Sequence, residues 1–359
     1  MTPVRGEVRL YGRVVGHGSF AQVTAGFAQV LGGAGRLAGL VPLDQDQLDD
    51  AGPVSGPTAA HALTVGPPGM AGIMTRATVH QTRAVMLAPN SNALPRAVMR
   101  MLGDVCTEIL TPSAWGAKVI RKYTTLPVRV VPHGVFPAFV VHPVQRAQTA
   151  AAYAAGMFIV GHFATGERER KGTRSLVEAW LQLIGAGKIP DRSRLILVMD
   201  IEGAGKLLAW LGDTVATDRG IESVVVRTRL DAAPAAMAAA LSHLHLVCQP
   251  SRGEGYGMVP GEALACGVPI VATRCTGHTE WFTERMPGTV EVQHGPDQPI
   301  DDAADALAPS VEPEAIAAAL FSAYQQWSAL NAEAARFAPL RQVQWAWEKQ
   351  LADWLGSLP

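Results

Sequence analysis

The stretch Pro250-Ser-Arg-Gly-Glu-Gly-Tyr-Gly-Met-Val-Pro-Gly-Glu-Ala-Leu-Ala-Cys-Gly-Val-Pro-Ile-Val-Ala-Thr273 holds residue types suited to binding a phosphorylated ligand. It reads as strand end, glycine-rich loop, short helix, turn and strand. Gly253, Gly255 and Gly257 let the loop backbone approach a ligand closely. Pro260 fits a helix start, where a missing N–H is tolerated, and Gly267 followed by Pro269 fits the helix end. The open N–H groups at such a start form an anion site suited to phosphate. Glu254 lies in the loop, and Glu262 lies eight residues on, in the expected first helical turn. A loop carboxylate beside a phosphate-binding helix start can accept sugar hydroxyls. A glutamate in a first turn is also favoured by the helix dipole alone.

This run resembles the E-x7-E signature of retaining GT-B glycosyltransferases of family 4, with Glu254 and Glu262 at the two glutamates. Weaker likenesses follow in the family's order. Val160-Gly161 to Lys171-Gly172 resembles its first C-domain strand and donor-phosphate loop, and Gly277 and Glu280 resemble its G-x-x-E turn. Thr111-Pro-Ser-Ala-Trp115 and Val131-Pro-His-Gly134 resemble the end of its N-terminal domain. The last helix is similar to the one that crosses back onto that domain.

The resemblance implies roles residue by residue. Glu254 would contact donor sugar hydroxyls near the reacting carbon, and Glu262 the ribose hydroxyls of the nucleotide. The backbone at Gly255, Tyr256, Gly257 and Met258 would lie close to the donor. Lys171 would hold the diphosphate together with an arginine. Where the family has Gly-Arg, this chain has Gly161-His162, followed by a longer loop containing Arg168 and Arg170. Arg168 is the favoured replacement, because a guanidinium binds phosphate in a fork. The implied reaction moves a sugar from a UDP- or GDP-sugar to a hydroxyl, with retention. It needs no cofactor beyond this co-substrate, and no metal. On this reading Glu254→Gln reduces turnover with little change in folding.

In the N-terminal half, Gly16-His-Gly18-Ser-Phe-Ala21 follows a strand and opens a helix. It fits a dinucleotide fingerprint. It fits equally the glycine-rich loop by which a GT-B N-domain approaches the donor phosphate, with His17 or Ser19 reaching the site. Asn90 and Asn92 follow the strand at 83–87, where an open α/β sheet places its ligand crevice. They are assigned to the acceptor, beside the plainer reading of an Asn/Pro turn. Asp44-Gln-Asp46 is a D-x-D triplet of the kind that a metal-dependent GT-A enzyme uses. An NAD(P)-dependent oxidoreductase is a rival, although Asp44 falls late for its ribose acid and Glu254 and Glu262 go unexplained. A non-catalytic nucleotide-sugar-binding protein is another.

Strands are expected at 8–15, 83–87, 107–110, 128–131, 157–160, 195–199, 224–226, 244–249 and 270–273. Helices are expected at 21–31, 95–102, 113–122 (capped by Ser113), 174–184, 233–241, 315–327 and 342–354. Residues 136–155 read as a connector. The pattern is α/β with parallel sheets. With the resemblance it gives a GT-B fold of two doubly wound Rossmann-like domains and an interdomain cleft. The expected domains are 1–145 on the acceptor side, 146–335 binding the nucleotide sugar, and 336–359 as the helix that crosses back.

The formal net charge is −1, but the halves differ. Residues 1–150 hold 13 Lys+Arg and 7 Asp+Glu, a net of +6; residues 151–359 hold 17 and 24, a net of −7. A basic first half suits an anionic partner. Arg96, Arg100, Lys118, Arg121, Lys122 and Arg129 carry much of that charge. A glycan, or a lipid reached by peripheral membrane contact, is the expected acceptor. A hydroxylated base of modified DNA, flipped from its stack, is the alternative. Four cysteines without metal or disulfide spacing fit a reducing compartment. No signal-peptide core and no 18-residue apolar run occur, so the expectation is a cytoplasmic chain without a transmembrane segment.

Overall fold

Alternating apolar runs and helical stretches condense into two parallel six-stranded sheets in a computed structural model of the chain. The structure describes residues 7–12, 19–42, 61–65, 82–164, 169–215, 220–228, 233–283, 286–300 and 306–358. The chain divides into two units, Met1–Phe136 with Gln344–Pro359, and Pro137–Val343.

The first unit contains β1 (Val8–Gly12), α1 (Ser19–Gly33), β2 (Leu37–Pro42), β3 (His61–Val65), β4 (Thr82–Met86), α2 (Arg96–Val105), β5 (Glu108–Thr111), α3 (Ala114–Ile120) and β6 (Val128–Val130). Its strand order is β2-β1-β3-β4-β5-β6, all parallel. Strands β2 and β3 were not expected from the pattern. The first strand is described over Val8–Gly12, and the rest of its expected span lies with residues 13–18 outside the described residues. Ser113 caps α3 as expected, its hydroxyl accepting from the Gly116 N–H at 2.9 Å.

The unit is completed by α11 (Trp347–Ser357). Its buried Trp347, Leu351 and Trp354 recur at helical spacing. Trp354 meets Phe27 edge-on at 5.5 Å, and the Val135 N–H bonds the Trp345 carbonyl at 2.7 Å. Gly134 permits this close approach, since a Cβ there would sit 2.4 Å from the Trp347 Cα. The obstruction is backbone, so no rotamer relieves it. Gly134→Ala is expected to cost about 3 kcal/mol by overpacking and to lower the thermal midpoint by roughly 5–10 °C, read by calorimetry.

The second unit contains α4 (Pro143–Ala154), β7 (Ile159–Phe163), α5 (Thr173–Gly185), β8 (Arg194–Met199), α6 (Ile201–Trp210), β9 (Val224–Thr228), α7 (Pro234–Ser242), β10 (Leu246–Gln249), α8 (Met258–Ala265), β11 (Ile270–Thr273), β12 (Thr289–Val292), β13 (Asp297–Pro299), β14 (Leu307–Pro309), α9 (Pro313–Gln325) and α10 (Trp327–Gln344). The expected connector is in fact α4. Its core-facing positions are Arg146, Thr149, Ala150 and Tyr153, two of them polar and buried, so the apolar pattern is broken. Arg146 instead donates to the Leu244 carbonyl at 2.6 Å and to Asn331. The helix expected at 342–354 is two helices, α10 and α11, which part at Trp345 and Ala346.

The large sheet runs β12-β11-β10-β7-β8-β9, all parallel. This is the doubly wound order in which the direction of winding reverses between β7 and β10. Its core holds Phe158, Leu176, Trp180, Leu195, Leu246 and Trp327, with α5 packed on α9. Beyond the carboxyl ends of β7 and β10 lies the place where such sheets bind ligands.

Candidate functional site

β10 is buried along its whole length, and Pro250 follows it directly. The Gln249 amide donates to the Phe163 carbonyl at 3.0 Å and ties the carboxyl ends of β10 and β7 together. Gly172, at φ 68°, ends the loop after β7 and opens α5. A Cβ on it would lie 2.5 Å from the Pro250 carbonyl oxygen, so the two loops touch through a position that only glycine fits. The Arg252 N–H bonds the Arg170 carbonyl at 2.8 Å, and the Arg170 guanidinium returns to the Gly253 carbonyl at 2.5 Å.

These contacts set Lys171 and Arg170 against Glu254, which lies 83 residues after the lysine in sequence. Lys171 Nζ lies 2.5 Å from Glu254 Oε1, and Arg170 lies 3.4 Å from Oε2. All three side chains are largely buried. Burial alone would raise the Glu254 pKa, but Lys171 and then Arg170 hold the carboxyl well below the usual carboxylate range. Glu254, Lys171 and Arg170 therefore form one charged cluster at the switch point. Arg168 lies outside the described residues.

Arg252 is a residue that sequence reasoning missed. It is buried, pairs with Glu169, and donates to the carbonyls of Pro309 at 2.9 Å and Pro299 at 3.1 Å. It thereby fastens the β13–β14 hairpin and the turn at Glu169 to the glutamate loop. A lone arginine before Gly253 gives no local sign of such distant partners.

His162, at the position of the usual arginine, is fully buried. The Cys248 carbonyl can only accept, so His162 Nδ1 carries the proton and donates to it at 2.9 Å; Nε2 faces the Thr173 hydroxyl at 3.0 Å. Burial pushes its pKa down to about 4. It is a neutral bridge between strands, with both nitrogens engaged.

α8 begins at Met258 behind Gly257, which has φ 79°. Pro260 is the third helical residue, and Glu262 the fifth. Glu262 thus sits two residues deeper than a helix start at Pro260 would place it, past the first turn, where the dipole argument for it fades. It is buried, and its Oε1 has no hydrogen-bond partner among the described residues. Burial pushes its pKa up to about 8. Gly267 at φ 70° ends the helix, with its N–H on the Leu264 carbonyl.

A third segment, Thr276–Glu280, backs the glutamate loop. The Glu254 N–H donates to the Thr276 hydroxyl at 3.0 Å, and the Gly277 N–H donates to the Glu254 carbonyl at 2.8 Å. Gly277 leaves no room for a Cβ, which would fall 2.3 Å from the Gly255 carbonyl group. The buried His278 has its Nδ1 on the Thr273 carbonyl at 2.9 Å, and burial lowers its pKa. Trp281 Nε1 donates to the Tyr256 carbonyl at 2.8 Å and steadies the loop before α8.

In the first unit, Gly16, His17 and Gly18 lie outside the described residues, as do Asp44 and Asp46. Asn90 and Asn92 occupy the loop from β4 to α2, at the carboxyl end of β4. Among the described residues no three of His, Cys, Asp and Glu gather as a metal site would require. No helix there is long and apolar enough to cross a membrane.

Several known proteins share this architecture. The Anabaena protein Alr3699/HepE, solved in complex with UDP and glucose, matches with a TM-score of 0.72 at 15% identity, over 98% of this chain and 100% of that one. Sucrose-phosphate synthase from Thermosynechococcus elongatus matches with a TM-score of 0.70 at 15% identity, over 98% and 97%. At this identity the likeness establishes the fold, which is GT-B with two Rossmann-like domains. D-inositol 3-phosphate glycosyltransferase of Kribbella flavida is 44% identical over 63 residues, 18% of this chain and 14% of that relative's length. Residues 117–353, which include every element of the glutamate site, match the family described as Family 4 Glycosyltransferase in conflict systems. The chain belongs to this family of glycosyltransferases.

Proposed function

We propose that the protein transfers a sugar from a UDP- or GDP-sugar to a hydroxyl acceptor, with retention at the anomeric carbon. The observation that carries this reading is the convergence of Lys171 and Arg170 on Glu254 at the switch point. The loop that carries Glu254 runs directly into α8, whose Glu262 keeps an oxygen without a partner among the described residues. Lys171 and Arg170 would take the diphosphate, Glu262 the ribose and Glu254 the sugar. With Arg170 already in place beside Lys171, it replaces Arg168 as the proposed phosphate guanidinium. As the acceptor oxygen bonds the anomeric carbon, the bond to the diphosphate breaks and the acceptor proton passes to a leaving diphosphate oxygen. The developing charge is then met by Lys171, Arg170 and the helix N–H groups, without a metal.

The UDP and glucose of the Anabaena structure and the glycosyl transfer named for the Kribbella relative support this reading. Thermal stabilisation tests it, with UDP, GDP, ADP, their sugar conjugates and NAD(P) as ligands. A ligand at 100 times its dissociation constant adds about 2.7 kcal/mol. A shift with one nucleotide sugar is expected; a shift with NAD(P) alone, or with none of them, would overturn the reading.

The proposed acceptor is a glycan or lipid, and the proposed location is the cytoplasm. A second reading, hydroxylated DNA, is favoured by the exposure of Arg96, Arg100, Lys118, Arg121 and Lys122 on and beside α2 and α3. Salt-sensitive retention of duplex DNA separates the two, because phosphate contacts weaken steeply with salt.

A further inference from the structure

We infer that Thr276 is the positioning residue for Glu254. The role of Glu254 itself rests on the function proposed above. Thr276 has φ 49° and is the one non-glycine residue with positive φ among the described residues; the other eight are glycines. A β-branched residue is the least suited to this conformation, because its Cβ substituents crowd the backbone. Such strain persists only where the surroundings over-determine it.

The surroundings here are the two main-chain polar groups of Glu254. The Thr276 hydroxyl accepts from the Glu254 N–H, and the next residue, Gly277, donates to the Glu254 carbonyl. Glu254 is thus gripped at both ends of its backbone by consecutive residues. The Thr279 hydroxyl donates to the Thr276 carbonyl at 2.7 Å and holds the grip from behind. A glycine at 276 would adopt the same φ without strain and would leave the Gly277 bond intact. What glycine lacks is the hydroxyl. The chain therefore keeps a strained threonine for the one atom that fixes the Glu254 amide, and through it the carboxylate between Lys171 and Arg170.

The test compares T276G, T276V and T276S in the full chain. T276V keeps the branched shape and loses the acceptor, whereas T276S keeps the acceptor. Three quantities are read: exchange of the Glu254 amide, thermal midpoint, and kcat and KM for hydrolysis of the donor that stabilises the wild type. T276G sheds strain but leaves the buried Glu254 N–H without its acceptor, so its melting midpoint is expected to change little. Its Glu254 amide should exchange at least about tenfold faster. Its kcat should fall about tenfold from misplacement, with KM changed less than about twofold. T276V should share the faster exchange and lower kcat, and T276S should recover most of both.

Undiminished amide protection in T276G and T276V overturns the inference, and so does faster exchange with unchanged kcat. A parallel loss of stability and donor affinity in T276G, with no effect on kcat, also overturns it, for that is a merely structural role. If no nucleotide binds the wild type, the proposed function fails, and amide exchange alone decides whether Thr276 fixes the loop.

Discussion

Glu254→Gln is expected to reduce turnover by about 100-fold or more and also to destabilise the free protein. The sequence-based expectation of little change in folding does not survive the structure. The Glu254 carboxylate is the partner of two largely buried cations, Lys171 at 2.5 Å and Arg170 at 3.4 Å. Removing the anion from a buried ionic cluster leaves uncompensated charge, at a cost of about 3 kcal/mol. A nucleoside diphosphate supplies that missing charge. The variant should therefore gain more thermal stability from the diphosphate than wild type does, while failing to turn over the sugar donor. The pH dependence has a definite sign. A carboxyl whose folded pKa is depressed stabilises above its ordinary value of 4.5 and loses that contribution as pH falls through its lower folded value. Wild type should lose this increment in acid, and Glu254→Gln should not. Calorimetry between pH 3 and pH 7, with and without the diphosphate, reads both effects; an unchanged midpoint at pH 7 would refute the charge-cluster account.

Glu262→Gln is expected to act in the opposite direction on stability. Burial raises the Glu262 pKa from 4.5 to about 8. A raised folded pKa gives a contribution that is complete below 4.5 and is lost as pH rises through 8. By pH 7 the loss is about 3 kcal/mol. The neutral glutamine escapes it, so the variant should be more stable than wild type at neutral pH and nearly equal below pH 4.5. Ribose binding should suffer, because a hydroxyl donates more strongly to a carboxylate than to an amide, by about 1.5–3 kcal/mol. Wild type should also release close to one proton on binding nucleotide at pH 7, as the carboxyl ionises to receive the ribose. Titration calorimetry in buffers of different ionisation enthalpy measures that proton. Binding without proton release would remove Glu262 from the ribose site.

The glycine, proline and glutamate spacing at 250–269 made the switch-point loop legible, and at Gly257 and Gly267 the residue type answers a local backbone need. Both stand at positive φ, as does Gly172 in the facing loop. What stayed hidden depends on partners far along the chain. Arg170 looked like one loop charge among several until the fold set it against Gly253 and Glu254. The Arg252–Glu169 pair joins the same two loops and has no periodicity to betray it. Thr276 was hidden for a different reason: local propensity argues against its conformation, so only tertiary contacts place it there. Among the elements, β3 is five residues that include His61 and Thr64, and β2 carries Gly39 and Pro42. α4 buries polar side chains, which break the stripe that marks an amphipathic helix.

The return of α11 to the first unit has a consequence for biosynthesis. The ribosome delivers residues 1–136 first, yet Gly134 and Val135 must wait for Trp345–Trp347 before their packing and backbone bond can form. Phe27 likewise waits for Trp354. The second unit, which lies between these segments, emerges whole before the first can close. Domains commonly fold in the order of synthesis; here the half made first is completed last. During that interval the apolar seat of α11, with Phe27 in it, stays open to water.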